Sequence, residues 1–297
     1  MAEEILTGTI LQGIGGFYTA LDDEGRSYTL KAQGKLRRER LKPKVGDRVE
    51  MVPGEGEADG WICRILPRHN ELVRPPVANI DAIVIVVAAA TPDPDLMMAD
   101  RLMLNARRAG ISVQLVVNKC DLAPESADDI VRQYRGAQVQ PLKVCASTGE
   151  GLDALRERLK GKVHALAGQS GAGKSTMINA LYGLSRETGD LSRRIERGRN
   201  TTRSCELIPV AGGGMVLDTP GFSLLETELF DPVEIKDGYP EFAPYEGRCF
   251  FQPCYHATEP RCAVREAVAA KEVDPQRHGR YVELLNDMKT RWRDRYD

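Results

Sequence analysis

His164-Ala165-Leu166-Ala167-Gly168-Gln169-Ser170-Gly171-Ala172-Gly173-Lys174-Ser175-Thr176 is the stretch on which the reading of this chain turns. A short apolar run ends in Gly-x-x-x-x-Gly-Lys-Ser, and residues 174–181 continue with helical character. Strand, glycine loop and helix start together form the context in which such a loop binds phosphate. The glycines let backbone N–H groups turn inward around an anion. Lys174 can reach the β- and γ-phosphates of a nucleotide, and the Ser175 hydroxyl can ligate Mg²⁺. Alone, the loop predicts a nucleoside triphosphate and leaves the base open.

Working outward, Asn118-Lys119-Cys120-Asp121 follows a Val-rich run and supplies a choice of base. A carboxylate at Asp121 accepts two hydrogen bonds from the guanine N1–H and exocyclic amine, which adenine cannot donate, and a pocket left with unpaired polar groups rejects the wrong ligand. Val144-Cys145-Ala146-Ser147 resembles a supporting base loop, with Cys145 where serine is common. Asp218-Thr219-Pro220-Gly221 closes another apolar run. There Asp218 can hold Mg²⁺ through a water, and the Gly221 N–H can sense a γ-phosphate. An ordinary GTPase places the phosphate loop first and the Asn-Lys-x-Asp element near the end. Here the order is 118, 168, 218, and each element sits where a buried parallel strand would finish. A ligand needs these loops close in space, in any order along the chain. The sequence therefore reads as a circularly permuted GTPase domain.

Between the phosphate loop and Asp218 lies an arginine-rich stretch, 193–203, in which Thr202 is the candidate Mg²⁺ and γ-phosphate contact of a first switch. Phe222 stands where many GTPases carry a glutamine that orients the attacking water, so that water needs another partner.

The 297 residues have room for two or three domains. With 41 basic and 43 acidic residues, the net charge of −2 announces no nucleic-acid binder, so any such surface must be local. No signal peptide is visible, and the longest apolar run, 82–90, is far short of the ~20 residues needed to span a bilayer. Seven cysteines without an export signal favour reduced thiols. A cytoplasmic chain without membrane contact is expected, and a monomer.

Three regions follow. Residues 1–72 carry short β-type runs at 5–11, 17–21, 27–32, 48–52 and 61–66, separated by glycine clusters, which predicts a small OB-type barrel. Within it, 31–48 holds eight cations (Lys31, Lys35, Arg37, Arg38, Arg40, Lys42, Lys44, Arg48) against Glu39 and Asp47. That stretch is a nucleic-acid backbone contact or a solvated loop. Arg74-Pro75-Pro76 reads as a stiff linker. Residues 73–228 form the permuted GTPase domain. Strands are predicted at 82–87, 112–117, 139–144, 164–167, 204–210 and 214–217 in a mostly parallel sheet, with helices at 96–109, 126–134, 152–160 and 174–181. Residues 229–297 hold a Pro/Tyr/Cys-rich loop, a helix from Ala263 and another from about Pro275.

Neither helix makes an independent core obvious, so something else must hold the last region together. Cys249-x₄-Cys254-x-His256-x₅-Cys262 supplies three thiolates and an imidazole within 14 residues, a complete tetrahedral set for Zn²⁺. No coordination position is left for water, which makes the ion structural, a staple for a small C-terminal domain. Cys63, Cys120, Cys145 and Cys205 are scattered and read as packing residues, and His69, His164 and His278 have no visible partners as metal ligands.

The barrel, the permuted order, Gly168–Thr176, Asp218–Gly221 and the Cys₃His cluster together resemble the ribosome small-subunit-dependent GTPase A (RsgA) family over essentially the whole chain. The resemblance implies multi-domain α/β architecture: an N-terminal OB barrel, a central permuted GTPase domain and a mainly helical zinc domain. It also implies GTP and GDP as ligands, Mg²⁺, one structural zinc, and subunit-stimulated GTP hydrolysis in late assembly of the small ribosomal subunit. The subunit with its ribosomal RNA is the implied partner. The family's first switch usually reads Gly-x-His-Thr-Thr, whereas this chain has Asn200 at the histidine position. Asn200, Thr202 and Lys174 are therefore the catalytic candidates. A nucleotide-gated assembly factor that holds GTP without hydrolysing it is the reading from another class.

Overall fold

The N-terminal barrel closes because its first strand serves two neighbours. β1 (Leu6–Ile14) pairs antiparallel with β2 (Phe17–Asp22) along 8–14 and with β4 (Arg48–Val52) along 6–9. A register shift between Ile10 and Gln12 bends it between the two partners. β2 runs antiparallel to β3 (Ser27–Ala32), β3 runs parallel to β5 (Gly60–Ile65), and β5 runs antiparallel to β4. The circuit β1-β2-β3-β5-β4-β1 is a closed five-stranded barrel of the OB type. Side chains alternate across each strand. Leu30 and Ala32, and Val49 and Met51, therefore face inward, with Ile10, Ala20 and Ile62 filling the rest of the interior. The five-residue helix α1 (Gly34–Arg38) lies between β3 and β4.

The computed structural model describes residues 5–38, 41–54, 58–73, 75–184, 205–218 and 229–296. These divide into two compact units, the described parts of 1–82, 159–166 and 185–222, and those of 83–158, 167–184 and 223–297.

In the first unit the expected linker differs from its reading. A short hairpin of β6 (Glu71–Leu72) and β7 (Val77–Ala78) flanks the two prolines, Arg74 lying outside the described residues. Side-chain amides account for it. Asn70 exchanges two hydrogen bonds with Ile80 (2.8 and 2.9 Å), and Asn79 donates to the Gly46 carbonyl at 2.9 Å. Arg68 forks onto the fully buried Asp47 (2.7 and 2.9 Å). The stretch is stitched to the barrel where proline alone suggested a spacer. In the same unit β11 (Val163–Ala167) runs parallel to β13 (Gly214–Asp218), β13 runs antiparallel to β12 (Glu206–Val210), and β12 meets β1 at Gln12 and Glu206.

In the second unit β8 (Ala82–Ala88) is buried at every position, as its unbroken Ala/Ile/Val run requires. Beside it lies β9 (Ser112–Asn118), then β10 (Leu142–Val144), which is parallel to β9 and shorter than expected. Helices α2 (Leu96–Arg108), α3 (Pro124–Gln133), α4 (Leu152–Leu159) and α5 (Lys174–Tyr182) follow the predicted positions closely.

The C-terminal part of this unit has two 3-10 helices, Pro232–Gly238 and Pro240–Tyr245, then helices Ala263–Ala269 and Pro275–Arg293. Pro275 opens the long helix, and Asp274 caps it by accepting from the N–H groups of Gln276 and Arg277. The segment does have an apolar core. Tyr239 and Phe242 each meet Tyr281 edge-on with centroids 4.9 Å apart, and Leu104 and Met97 of α2 join the cluster. A buried polar knot lies beside it. Asp100 of α2 accepts from Arg277 Nη1 (2.5 Å), Arg280 Nε (2.5 Å) and Tyr134 Oη (2.6 Å), and Arg277 also reaches Glu241. Among the described residues no helix is long and apolar enough to cross a membrane.

Candidate functional site

The phosphate loop leaves β11 at Gly168, whose φ is +133°. A Cβ there would stand 2.2 Å from the Val86 carbonyl oxygen, so only glycine lets the chain turn against β8. Gly173, with φ +96°, precedes the first turn of α5, and a Cβ on it would meet Asn118 Nδ2 at 2.2 Å. Lys174 is drawn back over the loop, its Nζ donating to the carbonyls of Gly168 (2.6 Å) and Gln169 (2.8 Å). Burial pushes its ammonium below the ordinary lysine pKa. Ser175 is half-buried in the first turn of α5, and Ser170 and Thr176 are exposed. The loop leads straight into the N-terminus of α5, whose first-turn N–H groups lack helical partners, the arrangement that suits an anion.

Asn118 ends β9 and is almost fully buried. Its Nδ2 donates to the Ala172 carbonyl at 2.9 Å, and its Oδ1 accepts from the Ala146 N–H at 3.0 Å. One amide thus joins the phosphate loop to the 144–147 loop. Lys119 adopts a left-handed φ of +61° and donates from Nζ to the carbonyls of Gly171 (2.9 Å) and Thr91. Cys120 turns its thiol onto the Val117 carbonyl (2.9 Å), and burial raises the pKa of that thiol. Cys145 is buried, its N–H donating to Glu150 O (3.0 Å) and its Sγ lying 3.1 Å from Ser147 Oγ. Asp121 is exposed and lines a pocket with Cys120, Pro124, Lys143, Val144 and Glu150.

One neighbour of the phosphate loop went unread in the sequence. Gln169 receives the Asp95 N–H on Oε1 (2.9 Å) and donates from Nε2 to the Asp93 carbonyl (3.0 Å), which clamps 91–95 against the loop. Asp95 in turn caps α2, accepting from Met98 N–H at 2.8 Å. The Pro/Asp density of Thr91-Pro92-Asp93-Pro94-Asp95 was the available signal for this turn and cap.

Asp218 closes β13 and is half-buried. Asn200, Thr202, Gly221 and Phe222 lie outside the described residues.

Cys249, Cys254, His256 and Cys262 come together in the C-terminal segment, all buried, with their ligand atoms within 4.8 Å of one another. The Cys249–Cys262 and Cys254–Cys262 sulfur pairs are each 3.8 Å apart, and His256 Nδ1 lies 3.5 and 3.4 Å from Cys249 and Cys262 Sγ. A tetrahedron with ~2.3 Å arms to sulfur has edges of about 3.8 Å, so the donor set fits Zn²⁺. Burial pushes the Cys254 thiol up to about 12, a preference for the neutral form that a bound cation reverses. His256 Nε2 bonds Glu246 Oε1 at 2.7 Å, and Lys236 holds the other Glu246 oxygen at 2.9 Å. That carboxylate orients the ring so that Nδ1 faces the sulfurs. His278, which is outside this ligand set, bonds the His256 carbonyl at 2.7 Å.

Comparison with known proteins agrees with this layout. The family pattern described as RsgA GTPase matches residues 65–228, and that of the RsgA N-terminal domain matches residues 7–62. A protein of Geobacillus thermodenitrificans named small ribosomal subunit biogenesis GTPase RsgA is 40% identical over 96% of this chain and 98% of its own length. One of the same name from Ruminiclostridium cellulolyticum is 41% identical over 95% and 93%. Among solved structures, YjeQ from Thermotoga maritima superposes with a TM-score of 0.84 at 34% identity, covering 96% of this chain and 99% of that one. YloQ, described as a circularly permuted GTPase, gives 0.79 at 30% identity, with 97% and 96% covered. With its barrel, its permuted nucleotide motifs and full-length relatives at about 40% identity, this chain belongs to the RsgA GTPase family.

Proposed function

We propose that this chain binds GTP at the loops joined by Asn118, hydrolyses it to GDP and phosphate with Mg²⁺, and acts in late assembly of the small ribosomal subunit, which stimulates the reaction. The observation that carries the reading is the single buried amide of Asn118, bonded at once to the phosphate loop and to the 144–147 loop. A base-reading loop and a phosphate-reading loop held at a fixed separation select one nucleotide by both of its ends. The names of the relatives support the small subunit as partner.

In this reading the Asp121 carboxylate accepts from the guanine edge, while Asn118, Lys119, Cys120, Cys145 and Ala146 shape the surrounding walls. The backbone of 168–173, with Lys174, Ser175 and Thr176, takes the phosphates. Ser175, Thr202 and Asp218 would hold Mg²⁺, which supplies charge neutralisation on the transferring phosphoryl group. Gly221 senses the γ-phosphate, and Asn200 orients the attacking water. Cys249, Cys254, His256 and Cys262 hold one structural zinc. The chain acts as a cytoplasmic monomer, with a barrel (1–72) that meets ribosomal RNA, a GTPase domain (73–228) and a zinc domain (229–297).

Phosphate release from GTP, measured with purified small subunits, large subunits and neither, tests the reading. Slow intrinsic turnover and stimulation by small subunits alone are expected. Equal rates in all three mixtures would refute subunit dependence.

A further inference from the structure

Between two of the clustered cysteines the chain carries Phe250 and Phe251, and both point away from the core that contains their neighbours. Cys249 and Cys254 belong to the buried cluster, yet Phe250 is 59% exposed and Phe251 47%. Single exposed apolar residues are ordinary on protein surfaces, but two adjacent phenylalanines on a tightly held loop mark a contact. The loop is held at both ends. Phe250 N–H donates to the Arg261 carbonyl at 3.1 Å, tying it to the segment that carries Cys262.

The chemistry around the rings selects the partner. The rings stand 4.9 Å apart at 80°, so one can stack on a flat ligand while the other meets its edge. The Arg261 guanidinium lies 3.2 Å from the Phe250 centroid. Arg248, on the other side of Cys249, lies over Tyr245 and donates to the Pro244 carbonyl. Among the described residues neither arginine has an ion pair. The acids beside these residues have other partners: Glu246 bonds His256 and Lys236, Glu259 takes the backbone N–H groups of Tyr255, Ala257 and Thr258, and Glu272 accepts from the Tyr245 hydroxyl at 2.8 Å. An exposed pair of rings with one guanidinium lying on Phe250, and a second cation, Arg248, on the other side of Cys249 in sequence, suits a ligand that is both flat and anionic. Unpaired nucleotides are that ligand, since bases stack on aromatic or guanidinium planes and phosphates take the charge.

We infer that Phe250, Phe251, Arg248 and Arg261 form a stacking platform for unpaired RNA bases. The inference rests on the reading of a ribonucleoprotein partner and adds to it the part of the chain that touches single-stranded RNA. A duplex hides its base faces and is a poor ligand for such a platform. A ribosomal protein on the same patch is the competing occupant.

The test uses the full chain, loaded with zinc, and fluorescein-labelled 10-mers of U and of A, with a 10-base-pair RNA duplex as control. Phe250→Ala/Phe251→Ala should weaken single-strand binding about tenfold or more, in line with the stacking energy of one or two bases. Its zinc content and GDP affinity should be unchanged, because neither ring lies in the core. Arg248→Gln/Arg261→Gln should flatten the dependence of binding on log salt by about one to two units, a change the phenylalanine variant should not show. No single-strand binding by the parent chain, or binding within twofold of the parent in the phenylalanine variant, overturns the inference. Co-sedimentation with small subunits separates this result from the wider reading. Subunit binding that depends on the phenylalanines when oligonucleotide binding does not gives the patch to a ribosomal protein and likewise overturns the RNA assignment. Phenylalanine-dependent oligonucleotide binding without subunit binding keeps the platform and removes the subunit.

Discussion

Asn200 carries the least conventional chemistry proposed for a single residue in this chain. The Phe222 side chain cannot hydrogen-bond a water, and Asn200 stands where the resemblance implies a histidine. Phosphoryl transfer depends mainly on positioning and charge stabilisation, and glutamine orients the water in other GTPases. Asparagine offers the same amide on a shorter stem. Asn200→Ala should therefore lower subunit-stimulated turnover about tenfold or more while GTP affinity is kept, and Asn200→His should retain or raise the rate. Stimulated turnover at the parental rate in Asn200→Ala would pass the role to another group. Glu246 is the counterpart at the cysteine cluster. It touches His256 and none of the sulfurs, so it acts by orientation. Glu246→Ala should weaken zinc binding by about 10- to 100-fold in a chelator competition. Glu246→Gln, which can still accept at the same oxygen, should recover part of it. Parental zinc affinity in Glu246→Ala would mean the ring is held by its packing alone.

At the scale of elements, the contact between α2 and the helix Pro275–Arg293 is the one to perturb. Arg277 is buried and held between Asp100 and Glu241, with its guanidinium 4.7 Å from the ring centroids of both Tyr134 and Tyr239. Arg277→Met would leave two buried carboxylates short of their cation, a defect that costs about 3–5 kcal/mol. Thermal unfolding should fall clearly, and Asp100→Asn in the same chain should recover part of the loss. An unchanged midpoint in Arg277→Met would show that Arg280 alone satisfies Asp100. These elements also mark where the sequence stopped being readable. The barrel strands were legible because period-two alternation and glycine punctuation are local signals, and all five fall within a residue or three of their expected ends. The phosphate loop and Asn118 were legible because their spacing is dictated by the chemistry of the phosphates and base. The partners of Asp100, the clamp of Gln169 on 91–95 and the hairpin at Pro75-Pro76 were not. Asp100 and Gln169 meet partners 34 to 180 residues away, and the hairpin is tied down by Asn79 on Gly46 and Arg68 on Asp47, contacts that the two prolines do not announce. Zinc seemed the sole staple of the last region because apolar residues spread over 230–288, with help from Leu104, do not look like a core when read in line.

For the molecule as a whole, the barrel's positive stretch is less free than its composition suggests. Lys31 pairs with Asp59, Lys44 with Glu71 and Arg48 with Asp23. On the proposed reading, contact with ribosomal RNA falls to the cations between them. Arg40 lies outside the described residues, as do the side chains of Arg37 and Arg38. Replacing Arg37, Arg38 and Arg40 by glutamate should weaken small-subunit binding and flatten its dependence on log salt by about three units. Unchanged affinity at low and moderate salt would return the stretch to a solvated loop. The Asp100–Arg277 pair has a further effect, one that concerns time. Its partners stand 177 residues apart. At typical rates of synthesis, the cation follows the carboxylate by roughly 10 to 35 s. Through that interval α2 can form and pack on β9, while the part of its inner face around Asp100 waits for the counter-charge, because burying an unpaired carboxylate is costly. Burial of that part is therefore deferred until the chain is nearly complete, and the waiting surface is one that a chaperone can hold.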